Sequence, residues 1–420
     1  MNALAILGGN PVRDVRKNPW PSWPVFGDKE RKNLLKVFES GKWWYGERVK
    51  EFEEKFARFQ DAQYGVSCTN GTAALEIGLL ACGIGAGDEV IVPPYTFVAT
   101  ASAVLKVNAI PVFADIQLET FNLDPIDTEK KITRRTKAII PVHFAGLPVD
   151  MDAFNRLSKK YKVKIIEDAC HSWGSKWKGK GTGAIGECGA FSFQMSKNIT
   201  SGEGGILLTD KEKLADTARS YSNVGRGKNS PWYEHYLPGD NLRMTELQAA
   251  ILLGQLTRLE KQTLKREENA RILDEKLKSF PGIAIVPTDK RVTRRSYHIY
   301  IFRFLENIWE IKRESFVEAM NAEGIPVSTG YPHPLYKNPL FQRKGTGPEY
   351  CPVSCHYYGK TIDYSSVICP NAEKICKQAI WISHPVLLAG KKEMGDIVNA
   401  IEKVWENRKK IGLSFLENVK

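Results

Sequence analysis

The chain has 420 residues, 42% of them hydrophobic and 26% charged, a balance that suits a globular protein with a large core and excludes a disordered or fibrous one. Lysine and arginine outnumber aspartate and glutamate by 60 to 48, a formal charge of +12. The excess is interleaved with acids, as in Asp28-Lys29-Glu30-Arg31-Lys32 and Lys265-Arg266-Glu267-Glu268, which is the pattern of solvated helix faces and argues against a nucleic-acid partner. No apolar run is long enough to span a bilayer, and the opening Met1–Gly8 lacks the basic head of a secretory signal, so a cytoplasmic protein with no membrane partner is expected. The eight cysteines, Cys68, Cys82, Cys170, Cys188, Cys351, Cys355, Cys369 and Cys376, are scattered and do not form a disulfide framework.

In chain order, residues 1–25 read as an extended arm, held open by Pro19, Pro21 and Pro24, that packs over a body or a partner subunit. Helical patterns follow at 28–40 and 47–59. From 63 to about 210, apolar strands at 64–68, 88–92, 110–114, 137–142, 163–167, 188–193 and 204–208 alternate with helices at 71–82, 97–107, 150–160 and 211–222. That alternation predicts an α/β fold with a parallel or mixed sheet covered by helices. A long helix from Thr245 to Ser279 bridges to a small C-terminal α+β domain with a strand at 297–304 and helices at 312–323 and 390–409. The domain division is an arm at 1–25, a large domain at 26–260 and a small domain at 261–420. Residues 342–369, rich in Gly, Pro, Cys and Tyr, read as an active-site loop or an insertion.

Four segments carry chemistry. In Tyr64–Glu76 a strand runs into Asn70-Gly71-Thr72 and a helix. The free amides and positive dipole end of that helix suit an anion, Gly71 allows close approach and Thr72 adds a hydroxyl, although plain capping uses the same residues. In Val90–Thr100 an apolar strand stops at Pro93-Pro94, and Phe97, or Tyr95, is placed to cover a flat cofactor ring. In Val163–His171 a buried strand ends in Asp168, a carboxylate suited to hold a pyridinium proton, with His171 three residues on to reach a ring phenolate oxygen. In Phe191–Gly205 a strand carries Ser192, a second candidate phosphate ligand, and ends at Lys197 before a glycine-rich turn. A partly desolvated lysine beyond a strand's carboxyl end can form a Schiff base with an aldehyde cofactor or a carbonyl substrate.

Together with Asn241-Leu242-Arg243-Met244-Thr245-Glu246-Leu247, these motifs resemble the DegT/DnrJ/EryC1/StrS family of pyridoxal-phosphate-dependent aminotransferases, over about Leu4 to Ile411. The opening Leu7-Gly8-Gly9-Asn10-Pro11-Val12-Arg13 and the Trp-rich arm look like the branch of inosose aminotransferases and 3-amino-5-hydroxybenzoate synthase. The resemblance implies a fold-type I transferase that works as a homodimer with shared sites. It implies that Lys197, Asp168 and His171 are catalytic, and that Gly71, Thr72, Phe97, Ser192 and the partner's Asn241 also hold pyridoxal 5'-phosphate. It implies glutamine or glutamate as amino donor and a keto-cyclitol or keto-sugar as acceptor. It places His333 and Tyr336 beside the substrate, and Trp43, Trp44 and Tyr45 form an aromatic wall suited to a small ring. Dehydratases of this family carry histidine in place of the lysine, so Lys197 argues for transamination; a regulatory protein of the same fold is the non-enzyme alternative. Cys351, Cys355, His356 and Cys369 match no standard zinc spacing, and no metal is expected.

Overall fold

The computed structural model describes residues 3–342, 351–353 and 356–417. The main sheet is built from β1 (Tyr64–Cys68), β2 (Glu89–Val92), β3 (Ile110–Phe113), β4 (Thr136–Ile139) and β5 (Lys164–Asp168); after a short hairpin of β6 (Lys176–Trp177) and β7 (Lys180–Gly181) come β8 (Cys188–Ser192) and β9 (Gly205–Thr209). The strand order is β1-β9-β8-β5-β4-β2-β3. β8, β5, β4, β2 and β3 pair in parallel, and β9 alone runs against its neighbours β1 and β8. Helices cover both faces, so β2, β8 and β9 are buried along their whole length and read as continuous apolar runs. This is the mostly parallel α/β architecture that the alternation predicts.

The predicted elements of this part lie within about two residues of those observed, except that the strand expected to reach 142 ends at Ile139. The helix Pro125–Lys131 was not expected; it is short and polar, and is started by Asp124, whose side chain accepts from the Ile126 amide, and by a proline in its first turn. Strands of two or three residues carry no alternation, so β6 and β7 were also missed.

Beyond the main sheet lie β10 (Ile283–Ile285), β11 (Val292–Arg294), β12 (Ile299–Phe304), β13 (Ser328–Thr329) and β14 (Ala379–Ser383). β10-β12-β14-β13 form an antiparallel sheet, while β11 reaches back to pair with β6. The helix Glu246–Leu277 starts in a capping box between Thr245 and Gln248 and passes residue 260 without a break. Its Ala249, Leu252 and Leu259 pack in a cluster with Val49, Phe52 and Phe193. Its Ala270, Leu273 and Leu277 pack in another with Phe302, Phe304 and Trp309. One rigid element therefore belongs to both cores.

The arm docks on its own chain. The buried Glu323 carboxylate accepts from the Ala5 amide at 2.8 Å, the Val12 amide at 2.9 Å and Lys403 Nζ at 2.8 Å. Arg13 pairs with Asp396 at 2.7 Å, and the Trp20 indole donates to the Gly324 carbonyl at 2.8 Å. The described part of 342–369 packs on the main sheet, and none of it lines the cavity at the carboxyl ends of the parallel strands. It covers the edge of the sheet: Tyr364 donates to the Pro111 carbonyl at 2.7 Å and Tyr358 donates to Glu89 at 2.8 Å. Cys355 lies outside the described residues, and no group of three metal-ligating side chains occurs among those described.

Glu167, the penultimate residue of β5, is fully buried and locks the connection into β8. Its Oε1 accepts from the amides of Ile185 (2.7 Å) and Gly186 (2.6 Å), and its Oε2 accepts from the Gly183 amide (2.7 Å) and His143 Nε2 (2.8 Å). His143 Nδ1 accepts from the Val149 amide, so the imidazole proton stays on Nε2. All four groups facing the carboxylate are donors. In Glu167→Gln one oxygen becomes an NH2 that meets donors whichever way it turns. The substitution is expected to cost about 2–3 kcal/mol and lower the thermal unfolding midpoint by several degrees, measured on the cofactor-loaded protein.

Candidate active site

A cavity of about 810 Å³ opens beyond the carboxyl ends of the parallel strands, where α/β sheets collect ligands. Asn70, Gly71 and Thr72 come from the turn after β1, and Thr96, Phe97 and Thr100 from the segment after β2. Asp168, Cys170 and His171 come from the end of β5, and Ser192, Gln194, Ser196 and Lys197 from the end of β8. His298 and Ile299 at β12, with Tyr331 and Trp381, close the other side.

Each main side chain is held by its neighbours. Asp168 is buried; its Oδ2 accepts from Thr100 Oγ1 at 2.7 Å and its Oδ1 from the Cys170 amide at 3.2 Å. Both of its oxygens thus serve as acceptors, which fixes the plane of the carboxyl group. Lys197 is half-buried as a residue and its ammonium end is enclosed, with Nζ 5.9 Å from the Trp173 ring centroid. No hydrogen bond or ion pair to it occurs among the described residues. Burial lowers its pKa from the usual lysine range, against the opposing pull of the Asp168 charge. Burial, helped by the Lys197 charge, also holds the His171 pKa well below the ordinary imidazole range. His171 Nδ1 accepts from the Ala145 amide at 3.4 Å, so the neutral ring carries its proton on Nε2. Ala145 sits at φ +54, a left-handed backbone of the kind that collects at functional sites.

The turn after β1 is pressed against β8. A Cβ on Gly71 would lie 2.8 Å from Ser192 Cβ and 2.9 Å from Cys170 Sγ, so only glycine fits. Asn70 caps the helix Gly71–Ala81 by accepting from the Ala73 amide at 2.9 Å. That leaves the Gly71 and Thr72 amides with no acceptor in the helix, and Gly71 is packed against Ser192. Phe97 stands at the mouth of the cavity, 58% exposed.

Lys197, Asp168, His171, Gly71, Thr72, Phe97 and Ser192 thus line one cavity. Tyr336, His333, Trp43, Trp44 and Tyr45 do not line it, and neither does Asn241, which the resemblance assigns to the partner's site. The Tyr336 hydroxyl donates to Glu373 at 2.7 Å and its ring packs on Phe113, so it is a core residue with no free face. Its neighbour Tyr331 lines the cavity instead. His333 is exposed, its Nδ1 3.3 Å from the Pro334 carbonyl. The Tyr45 hydroxyl bonds to Glu53 and Arg219 beside β1, and Asn241 is exposed on a backbone bridge to Asn223. Thr100, Tyr331, Trp381 and His298 were missed. Tyr331 lay within the Tyr331-Pro332-His333 run, but Thr100 inside a helix and Trp381 inside a strand gave no local signal.

A model of the DegT/DnrJ/EryC1/StrS aminotransferase family matches residues 24–364, and the chain belongs to that family of pyridoxal-phosphate-dependent aminotransferases. It is 38% identical over 414 residues (96% of this chain, 97% of the relative) to a Micromonospora echinospora protein provisionally named an L-glutamine:3-amino-2,3-dideoxy-scyllo-inosose aminotransferase. It is 35% identical over 386 residues (91% of this chain, 96% of the relative) to 3-amino-5-hydroxybenzoate synthase of Amycolatopsis mediterranei. A crystal structure of 3-amino-5-hydroxybenzoic acid synthase superposes with a TM-score of 0.82 at 33% identity, covering 92% of this chain and 98% of that one.

The lowered Lys197 pKa sets a sign for stability. Between the folded value and the ordinary 10.5, the unfolded chain holds a proton that the folded chain has lost, so the cofactor-free protein gains stability as pH rises. Below the folded value the penalty is present in full. Cofactor-free Lys197→Met is therefore expected to melt a few degrees, roughly, above cofactor-free wild type at pH 7, with the gap narrowing towards pH 10.

Proposed function

We propose that the protein moves an amino group from glutamine or glutamate to the ketone of a small cyclitol-like ring, with Lys197 as the reactive lysine. The observation that carries this reading is the joint placement of an unpaired, enclosed lysine, a buried carboxylate and a tightly packed helix terminus in one cavity. That set fits pyridoxal 5'-phosphate: the first-turn amides, Thr72 and Ser192 would hold the phosphate, Asp168 the ring nitrogen, His171 the ring oxygen through Nε2–H, and Phe97 the ring face. When bound, this cofactor supplies an aldehyde that takes up the amine and a ring that accepts the electron pair freed at the amine-bearing carbon. Lys197 Nζ, once freed by the amino donor, takes the proton from that carbon. In the second half-reaction it returns a proton to the acceptor carbon, one base serving both directions. A neutral Lys197 is required for the first of these, and its burial favours the neutral form.

The acceptor reading rests on the cavity wall. Tyr331 and Trp381 face the cavity with ring centroids 5.0 Å apart, and Lys106, already paired with Glu76, and Lys197 are the only Lys or Arg side chains among the described lining residues. A nucleotide diphosphate finds no cation cluster there, whereas an uncharged polyol stacks well on aromatic faces. The name of the Micromonospora echinospora relative, an inosose aminotransferase, points the same way. With the protein reduced to its pyridoxamine form, scyllo-inosose is expected to react at least about tenfold faster than a dTDP- or UDP-linked keto-sugar, measured by the change in cofactor absorbance. A preference for the nucleotide sugar sinks the acceptor reading.

We further propose a cytoplasmic homodimer with shared sites. Asn241 is exposed and outside its own cavity, which suits a contribution to the partner's phosphate site, and the thiols of Cys68, Cys170, Cys188 and Cys376 are free, as suits a reducing compartment. Mixing Lys197→Ala with Asn241→Ala protomers is expected to restore up to about half of the wild-type activity per heterodimer, because one site then carries neither lesion. Heterodimers shown to form without recovering activity overturn the sharing.

A further inference from the structure

We propose that Trp23 of the arm and His384 are positioning residues for Lys197: each donates a ring N–H to one of the two carbonyls that precede the lysine. The proposal rests on Lys197 being the reactive lysine. Gln194–Lys197 is a tight turn, closed by the Lys197 amide donating to the Gln194 carbonyl at 2.9 Å. Met195 and Ser196 are exposed, so little apolar packing holds the turn from outside. Two bonds do. Trp23 Nε1 donates to the Met195 carbonyl at 2.9 Å, and His384 Nε2 lies 3.0 Å from the Ser196 carbonyl.

The His384 bond has its direction fixed. Arg266 Nη2 lies 3.2 Å from His384 Nδ1, and a guanidinium only donates. Nδ1 must therefore carry the lone pair, and the ring proton sits on Nε2, aimed at the Ser196 carbonyl. Arg266 is wholly buried, and its Nε and Nη1 have no partner among the described residues. Its charge is met by the Trp23 ring, whose centroid is 5.8 Å from the guanidinium carbon. Trp23 also meets His384 edge to face, with centroids 4.5 Å apart. On the far side of Lys197, Asn198 donates to the Ser296 carbonyl at 3.1 Å and pairs with His298 at 2.9 Å. The lysine is thus gripped on both flanks. The preceding flank is built from three distant parts of the chain: the arm, the bridging helix and the end of β14.

A lysine that must meet an aldehyde carbon gains most from this kind of orientation, and small misplacements slow bond formation more than they weaken binding. The test uses cofactor-free full-length protein. The rate at which added pyridoxal phosphate becomes attached to Lys197 is followed by stopped-flow absorbance, with borohydride trapping and peptide mass mapping to locate the lysine. Affinity for pyridoxamine phosphate, which cannot bond to a lysine, is measured in parallel by titration calorimetry. Trp23→Phe keeps the ring and loses the N–H; His384→Phe does the same; His384→Gln keeps an N–H of similar reach. The two Phe variants are each expected to slow attachment about tenfold, with pyridoxamine phosphate affinity unchanged and with His384→Gln recovering most of the rate. Wild-type attachment rates in both Phe variants overturn the proposal. So does a parallel loss of pyridoxamine phosphate affinity, which marks a general loosening of the cavity. Trapping of wild type at a lysine other than Lys197 overturns the underlying assignment, and is read separately from either result.

Discussion

The buried Glu167 carboxylate gathers three backbone amides and one imidazole N–H around a single point at the end of β5. Those amides belong to the residues that lead into β8. The bond set therefore fixes where β8 starts, and with it the pairing that sets Asp168 opposite Ala190. A one-residue slip would turn every side chain of β8 to the opposite face. Ser192 would leave the cavity and Phe191 would enter it. The register also explains two tight glycines: a Cβ on Gly189 would lie 2.2 Å from Gly183 Cα, so the connection can fold over β8 only without side chains there. An interaction that touches no ligand thus determines which residues can.

The histidines beside Lys197 form a second layer of the same logic. His171 meets His298 at a tilt with centroids 4.4 Å apart, and His298 stacks over His384 at 5.5 Å. Burial pushes the pKa of all three well below the ordinary range, and the charges of Lys197 and Arg266 add to the effect. Three neutral rings in a row carry fixed tautomers, each set by the donor or acceptor it meets. The result is a directed set of N–H groups around the lysine with no added charge in the cavity.

Most of the main sheet was legible because its strands are apolar, buried and separated by helices. The residues of the site were legible where one short motif carries them: Gly71 and Thr72, Asp168 and His171, Ser192 and Lys197. What escaped was set by tertiary contact. Thr100 matters because its helix faces Asp168, and nothing local says so. Tyr331 and Tyr336 are both tyrosines in one loop, and only the packing of Tyr336 on Phe113 decides which of them faces the cavity. The short strands β6, β7 and β11 owe their existence to one another, since none is long enough to show alternation. Asn241 is exposed and bridges Asn223 in its own chain, so its role rests on the resemblance and not on packing.

Both margins of the main sheet are closed by side chains. On β1 the Ser67 amide donates to Glu53 and the Gly65 carbonyl accepts from Arg219. On β3 Pro111 has no amide to offer, and its carbonyl is taken by Tyr364. An approaching extended segment meets no vacant row of donors and acceptors at either side, so strand addition is blocked in the native state. Strand addition to the main sheet on heating would begin with the loss of Glu53, Arg219 or Tyr364 from its place, which gives these three side chains a part in colloidal behaviour.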